Sequence, residues 1–274
     1  MSARTGEAGP RSDAKPGDDH RARVALVTGA SRGIGKQLCA DLARDGYDVV
    51  CAARSTSERP SKLPGTIEET AHAVTQAGRR AWPVALDVRD EDAVIRVVER
   101  LYAEWGRCDL LVNNAAIAPE TPALKDTTKR WRLAVDVNLN GPFYAIYHLH
   151  ARMSAAGGGR IVNISSGAAQ APQFGRASYT VTKAALEALT ACMAFDLRDA
   201  KVAVNCLRLE LMVWTEGFAA TLADPSGYGF EDPVIMSDAV LWMAKQPLAW
   251  TGQIETIGSL RARGAVRPVT KVAR

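Results

Sequence analysis

The residues Val24-Ala25-Leu26-Val27 form a short, unbroken apolar run that leads directly into Thr28-Gly29-Ala30-Ser31-Arg32-Gly33-Ile34-Gly35. Continuous rather than alternating apolarity suits a strand buried on both faces. Leu38, Leu42 and Ala43 then recur at helical spacing, and Gly46 closes that helix. A buried strand, a glycine-rich turn and a helix in succession leave few architectures open. Glycines in such a turn permit a tight reversal, close approach of the backbone to a phosphate, and close helix–strand packing. A helix starting near Ile34 would aim its free N–H groups and positive dipole end at that phosphate. The alternative is a tight turn without a ligand; the strand before it and the helix after it argue against that.

The alternation continues. Residues 48–53 read as a second strand, 67–77 as a helix stopped by Gly78, 81–86 as a strand, and 90–105 as a helix. Residues 110–112 read as a strand, 129–150 as a long helix, 160–164 as a strand, 177–199 as a helix, and 202–207 as a sixth strand. Residues 253–257 are a candidate seventh. Strands alternating with helices imply a doubly wound α/β fold with a parallel sheet. No repeat and no Gly/Ser linker divides the chain, so one domain is expected over 21–260. Residues 1–20 hold no Val, Ile, Leu or aromatic residue and read as a disordered tail. No apolar run approaches the roughly 18 residues of a membrane span. No apolar leader precedes the first strand, so a cytoplasmic rather than a secreted protein is expected. The five cysteines are widely spaced and form no CxxC pair, which suits small core residues in a reducing compartment.

Arg54 follows the second strand, where the adenine ribose lies in a doubly wound sheet. NAD-binding proteins usually place an acidic residue there to accept the ribose 2′-hydroxyl. This strand ends Ala52-Ala53-Arg54 without a carboxylate, and Arg32 in the glycine turn can reach the same region. Two guanidiniums and no acid suit the 2′-phosphate of NADP rather than NAD. The alternative is that these arginines are solvated surface residues.

Tyr179 and Lys183 lie four apart, on one helix face. A nearby ammonium favours the phenolate form of a phenol, which ordinarily ionises near pH 10. Such a pair can exchange a proton, although alone it is also common on ordinary helix surfaces. Ser165 and Ser166 end the strand 160–164, and α/β ligands bind at the carboxyl ends of strands. A serine there can hydrogen-bond a substrate oxygen or merely cap a turn.

With Thr28 to Gly35, Asp87-Val88, Asn113-Asn114-Ala115-Ala116, Asn138, Ser166, Tyr179 and Lys183 in this order and spacing, the chain resembles the classical short-chain dehydrogenase/reductase family from Arg23 to about Asp199. The resemblance implies a Rossmann-type sheet of about seven strands and hydride transfer between nicotinamide and an alcohol or carbonyl. It implies Tyr179 as general acid/base and Lys183 as the residue that favours its phenolate and holds the nicotinamide ribose. Ser166, thirteen residues before Tyr179, would orient the substrate oxygen. Asn138 would anchor a proton-relaying water, and Asn113 and Asn114 would brace the sheet. The implied cofactor contacts are Gly29, Ser31, Arg32, Gly33, Ile34, Gly35, Arg54, Asp87, Val88, Asn114, Ala115, Tyr179, Lys183 and Thr215. The long link from Ala53 to Glu69, with Lys62-Leu63-Pro64-Gly65-Thr66-Ile67-Glu68, is similar to that of hydroxysteroid dehydrogenase-like proteins. A homo-oligomer, dimer or tetramer, is also implied, with the long helices from Lys129 and Ala177 as interface elements.

The chain departs from the family pattern after the sixth strand. Residues 206–215 read CLRLELMVWT, without the usual Pro-Gly, so Thr215 takes the carboxamide-binding position only if the loop absorbs one extra residue. Ile257-Gly258-Ser259-Leu260 replaces the usual Asp-Gly-Gly-like turn. Residues 210–233 are expected to form a substrate lid. It holds Trp214, Phe218, Tyr228 and Phe230, and Phe174 precedes Tyr179. Pointing inward, they would line an apolar pocket; pointing outward or at one another, they would pack the lid. With Ser166 and Tyr179, the expected substrate contacts are Phe174, Trp214 and Phe218. His148 and His150 face different ways on a helix, and no metal site is expected. The altered loop also leaves open a non-catalytic NADP-binding regulatory or scaffold protein on the same fold.

The formal charge of +4 divides unevenly. Arg261, Arg263, Arg267, Lys271 and Arg274 lie in residues 261–274, read as a basic tail without an acid. Residues 21–260 carry 26 charges of each sign, so no nucleic-acid surface is expected. The partner expected is a small alcohol or ketone.

Overall fold

A computed structural model describes residues 22–220, 222, 224 and 229–269. The disordered-tail reading of residues 1–20 and the lid residue Tyr228 lie outside the described residues. Seven parallel strands form one sheet: β1 (Arg23–Thr28), β2 (Tyr47–Ala53), β3 (Ala81–Ala85), β4 (Leu110–Asn113), β5 (Gly159–Ser166), β6 (Val202–Leu209) and β7 (Ile254–Thr256). Their order is β3-β2-β1-β4-β5-β6-β7. The order reverses between β1 and β4, and the crevice at the carboxyl ends of those strands is where such sheets bind ligands.

The apolar run of β1 explains itself in this setting. Ala25 and Val27 pack on one face with α1 (Gly33–Arg44), while Val24 and Leu26 pack on the other with α3 (Glu91–Trp105) and α5 (Gly141–Ala155). Every residue from Val24 to Val27 is at most 2% exposed, because both faces are covered. α2 (Ile67–Gln76) is capped by Thr66, whose side chain accepts the Glu69 N–H. Asp90 caps α3 in the same way.

The expected helix over 129–150 is two helices, α4 (Thr128–Val135) and α5, joined by a π-helical turn Asp136–Asn140. Pro142 has no N–H to give the carbonyl four residues back, that of Asn138, and Gly141 N–H bonds instead to Asp136 C=O. The slip occurs at the residue singled out by the family pattern.

α6 (Ala177–Asp196) is followed by β6, the short α7 (Glu216–Ala219), and α8 (Val234–Ala244). Nothing in the sequence reading anticipated α8. Apart from Ser237 and Asp238 it is apolar, with no amphipathic period to detect, because it packs against both α1 and the sheet. α9 (Ile257–Ala262) was equally unforeseen; Ile257, expected in the last strand, starts it.

The basic segment is not a loose end at residue 261. Arg261 pairs with Glu231, Arg263 with Glu255, and Arg267 with Asp238, and Val266 is buried. Three of the five basic side chains assigned to a tail thus hold residues 261–267 against the body. Of the cysteines, four are buried and Cys192 on α6 is exposed. Among the described residues no helix is long and apolar enough to cross a membrane.

Candidate active site

The β1–α1 turn is fixed from two sides. Thr28 Oγ1 accepts the N–H groups of Asn114 and Ala115, both at 3.1 Å. Asn114 Nδ2 donates to the carbonyls of Thr28 (2.9 Å) and Gly29 (3.2 Å). Asn114 therefore ties the end of β4 to the glycine turn across the switch point. A methyl group on Gly35 would lie 2.3 Å from Gly29 O and 2.7 Å from Asn114 Nδ2, so only glycine fits. Gly33 has φ +52 and the packed Thr215 side chain over it.

The N-terminus of α1 already binds an anion from this chain. Gly33 N–H donates to Glu216 Oε2 at 2.9 Å. Sequence reasoning missed Glu216, since nothing local says that a lid residue reaches a turn far away in sequence. Its carboxylate takes up a free N–H group there, which suits the positive end of a helix dipole. The residues here fit a dinucleotide phosphate.

At the far end of this cleft, a cavity of about 460 Å³, lie Arg32, Arg54, Ser55, Asp87 and Val88. Arg32 is tied into the long link after β2: its Nε donates to Pro64 O at 2.9 Å, and its Nη2 lies 3.0 Å from Ser55 Oγ. Burial pushes the Arg32 guanidinium below its usual range, opposed by Glu216 and reinforced by Arg54. The two arginines are thus close, but Arg32 is largely committed to the loop while Arg54 is exposed. Asp87 is held below the usual carboxylate range chiefly by its fork of hydrogen bonds from Arg89.

A second cavity, about 530 Å³, contains Ser166 and Tyr179 and shares Ile34, Ala116, Thr215 and Gly217 with the first. Ser166 Oγ also accepts Ala168 N–H at 3.3 Å, so it caps a turn as well as facing the cleft. Lys183 is 3% exposed. Its Nζ donates to Ile164 O at 2.6 Å and lies 5.7 Å from the Tyr179 ring centroid. Asn138 is fully buried; it exchanges hydrogen bonds with the backbone of Ile117, both at 2.9 Å, and donates to Thr182 Oγ1 at 3.0 Å. It joins the loop after β4 to α6. Asn113 donates to Asn163 (2.8 Å) and Asn163 to Thr190 (2.9 Å), a buried chain that crosses from β4 through β5 to α6.

Among the described residues the expected aromatic lining is largely absent. Phe174 is 92% exposed and does not line the cleft. Trp214 turns to the buried Phe230, ring centroids 5.1 Å apart, and packs within its own segment. Phe218 alone of these lines the cleft, while stacking edge-on against Phe230. Phe230 is the reason: Trp214 and Phe218 both pack edge-on against it. The walls include Ala118, Leu211, Met212 and Val213 with the polar Gln173 and Glu210, and an unforeseen ion pair, Arg176 with Glu120, stands among them.

The two departures from the family pattern meet each other. Glu210, where Pro-Gly was missing, accepts N–H groups from Ile257 (3.2 Å) and Gly258 (2.6 Å) at the start of α9. One altered segment is clasped by the other. A third unforeseen group is ionic and buried: Arg208 on β6 binds Glu187 on α6, with side-chain exposures of 12% and 11%.

A doubly wound parallel sheet with a glycine turn at its switch point, Ser166 and Tyr179 lining the adjoining cleft and Lys183 buried behind them, is the arrangement of the short-chain dehydrogenases. The chain belongs to the short-chain dehydrogenase family, whose model matches residues 23–224. It is 33% identical over 230 residues to hydroxysteroid dehydrogenase-like protein 2 of Danio rerio, covering 83% of this chain and 55% of that protein. The chain thus spans about half the length of such relatives. It is 32% identical over 244 residues to an uncharacterized NAD-dependent oxidoreductase of Mycobacterium tuberculosis, covering 81% and 89%. Among solved structures it is similar to a short-chain dehydrogenase homologue of Mycobacterium thermoresistibile, with TM-score 0.81, 27% identity and coverage of 90% and 88%. It is also similar to a metagenomic short-chain oxidoreductase in complex with NADP, with TM-score 0.71, 29% identity and coverage of 85% and 95%.

Proposed function

We propose that the chain interconverts a hydroxyl and a carbonyl group on a small, mainly apolar substrate, using NADP(H), with Tyr179 as general acid/base. The observation that carries this reading is that Ser166 and Tyr179 face one cleft that shares its inner wall with the phosphate cradle. When bound, the nicotinamide supplies or accepts the hydride. In the reductive direction the Tyr179 hydroxyl gives its proton to the carbonyl oxygen, and Ser166 Oγ holds that oxygen in place. Lys183, fixed by Ile164 O, keeps an ammonium beside the Tyr179 ring. Asn138 holds the cleft wall to α6 through Thr182. Leu211, Met212, Val213 and Phe218 exclude water from the reacting centre. The test is absorbance of reduced nicotinamide against a panel of ketones and alcohols; no oxidation or reduction of any member in either direction would overturn the reading.

The preference for NADP is supported by the exposed Arg54 beside Ser55 and by the missing carboxylate at the end of β2. An Arg54→Ala variant should lose about ten- to a hundred-fold in NADP affinity, the worth of one charge-assisted hydrogen bond, with NAD affinity unchanged. Fluorescence titration with both cofactors measures this, and equal NADP affinity in variant and parent would refute it.

Glu216 competes for the cradle. Converting it to Gln removes the charge on the α1 N-terminus, so cofactor affinity should rise about two- to five-fold. A weaker complex would show instead that Glu216 assists binding.

A further inference from the structure

We infer that Arg208 is a positioning residue for the proposed reaction: it holds the Glu187 carboxylate at the sheet, so that the Lys183 ammonium is left to act on Tyr179. The inference rests on the reading of Tyr179 as acid/base.

Tyr179, Lys183 and Glu187 follow one another at four-residue intervals on α6 and so share one stripe of the helix. The ammonium lies between a phenol and a carboxylate. Glu187 is 9% exposed, and a carboxylate buried that deeply takes a cation or a set of donors from its surroundings. On its own helix the nearest cation in sequence is Lys183. The sheet supplies another. Arg208 Nε reaches Glu187 Oε1 at 2.8 Å and its Nη2 reaches Oε2 at 2.6 Å, while Ser165 Oγ donates to Oε1 at 2.8 Å. Both carboxylate oxygens are engaged by β5 and β6, and Lys183 Nζ turns to Ile164 O.

The three charges share one neighbourhood. The Cys206 thiol is pushed up to about 12, mostly by burial and further by Glu187, with Lys183 and Arg208 opposing. The other groups facing this cluster do not replace Arg208. β5 brings the uncharged Ser165 and Ser166, and the π-helical turn brings Asn138. Glu210, beyond β6, is engaged by the N–H groups of α9. On α4, Lys129, Arg130 and Arg132 are exposed, and Arg176, which lines the same cavity as Tyr179, is paired with Glu120. An arginine in β6, whose other residues apart from Asn205 are apolar, is the sequence cue to such a pair.

The test is the pH–rate profile of alcohol oxidation. In Arg208→Gln, Glu187 is left to Lys183, and the limb that reports the acid/base group should move to higher pH by about one unit. Turnover well below the limb then falls about ten-fold and recovers at high pH. The double variant Arg208→Gln/Glu187→Gln should restore the parental limb, which a merely structural role would not do. Should Arg208→Gln fail to fold, Arg208→Lys, which keeps one donor in place of the fork, should move the limb the same way by a fraction of a unit. A folded variant with an unmoved limb, or a double variant that fails to restore it, overturns the inference. Tyr179→Phe separates the two failures: if that variant keeps full turnover, the reading of Tyr179 falls; if it is inactive and the Arg208 variants leave the limb unmoved, only the role of Arg208 falls.

Discussion

Replacing Tyr179 with Phe is expected to lower turnover by about two to four orders of magnitude, the usual worth of a positioned acid/base. Phe keeps the ring over which Lys183 lies and removes only the hydroxyl, so the helix and the cleft wall should stay as they are. Affinity for the cofactor should be nearly unchanged, because the phosphate cradle is built by β1, α1 and Asn114 rather than by α6. Absorbance of reduced nicotinamide gives the turnover, and fluorescence titration gives the affinity. Full turnover in the variant would remove Tyr179 from the chemistry.

The Gly35→Ala variant is expected to fail at the other half of the site. Its new methyl would sit 2.3 Å from Gly29 O and 2.7 Å from Asn114 Nδ2, inside contact distance of backbone and of the side chain that fixes the turn. Neither neighbour is the free end of a flexible chain, so the turn itself must move. Overpacking of this kind costs about 1–3 kcal/mol, which lowers Tm by about 2–10 °C in a chain of this size. Cofactor affinity should drop with it, because the displaced turn carries the N–H groups that face the phosphate. Gly229→Ala, where a methyl meets nothing within 4 Å, is the matched control. A Gly35→Ala protein with parental Tm and affinity would refute this account of the turn.

The strands and the cradle were legible because each is written in consecutive residues. Val24 to Val27 are apolar without a break because both faces of β1 are covered, and the six strands read from such runs all occur. Tyr179 and Lys183 were legible because four residues return a helix to the same face. The largely apolar α8 offered no period, and the break in the 129–150 helix was hidden in Pro142, whose missing N–H matters only once the helix is built. The aromatic pocket was misjudged for a related reason. A sequence counts Phe174, Trp214 and Phe218 alike, whereas Phe174 lies in solvent, Trp214 packs on Phe230, and only Phe218 reaches the cleft.

Local order along the chain therefore determined the sheet, the phosphate cradle and the spacing of Ser166, Tyr179 and Lys183. The tertiary structure alone decided that Glu216 reaches Gly33 across 183 residues, that Glu210 clasps α9, and that Arg208 answers Glu187. Periodicity records which face of an element is buried. It holds no information on which charged side chain lies opposite another once distant elements pack, and electrostatic contacts of that kind surround this site.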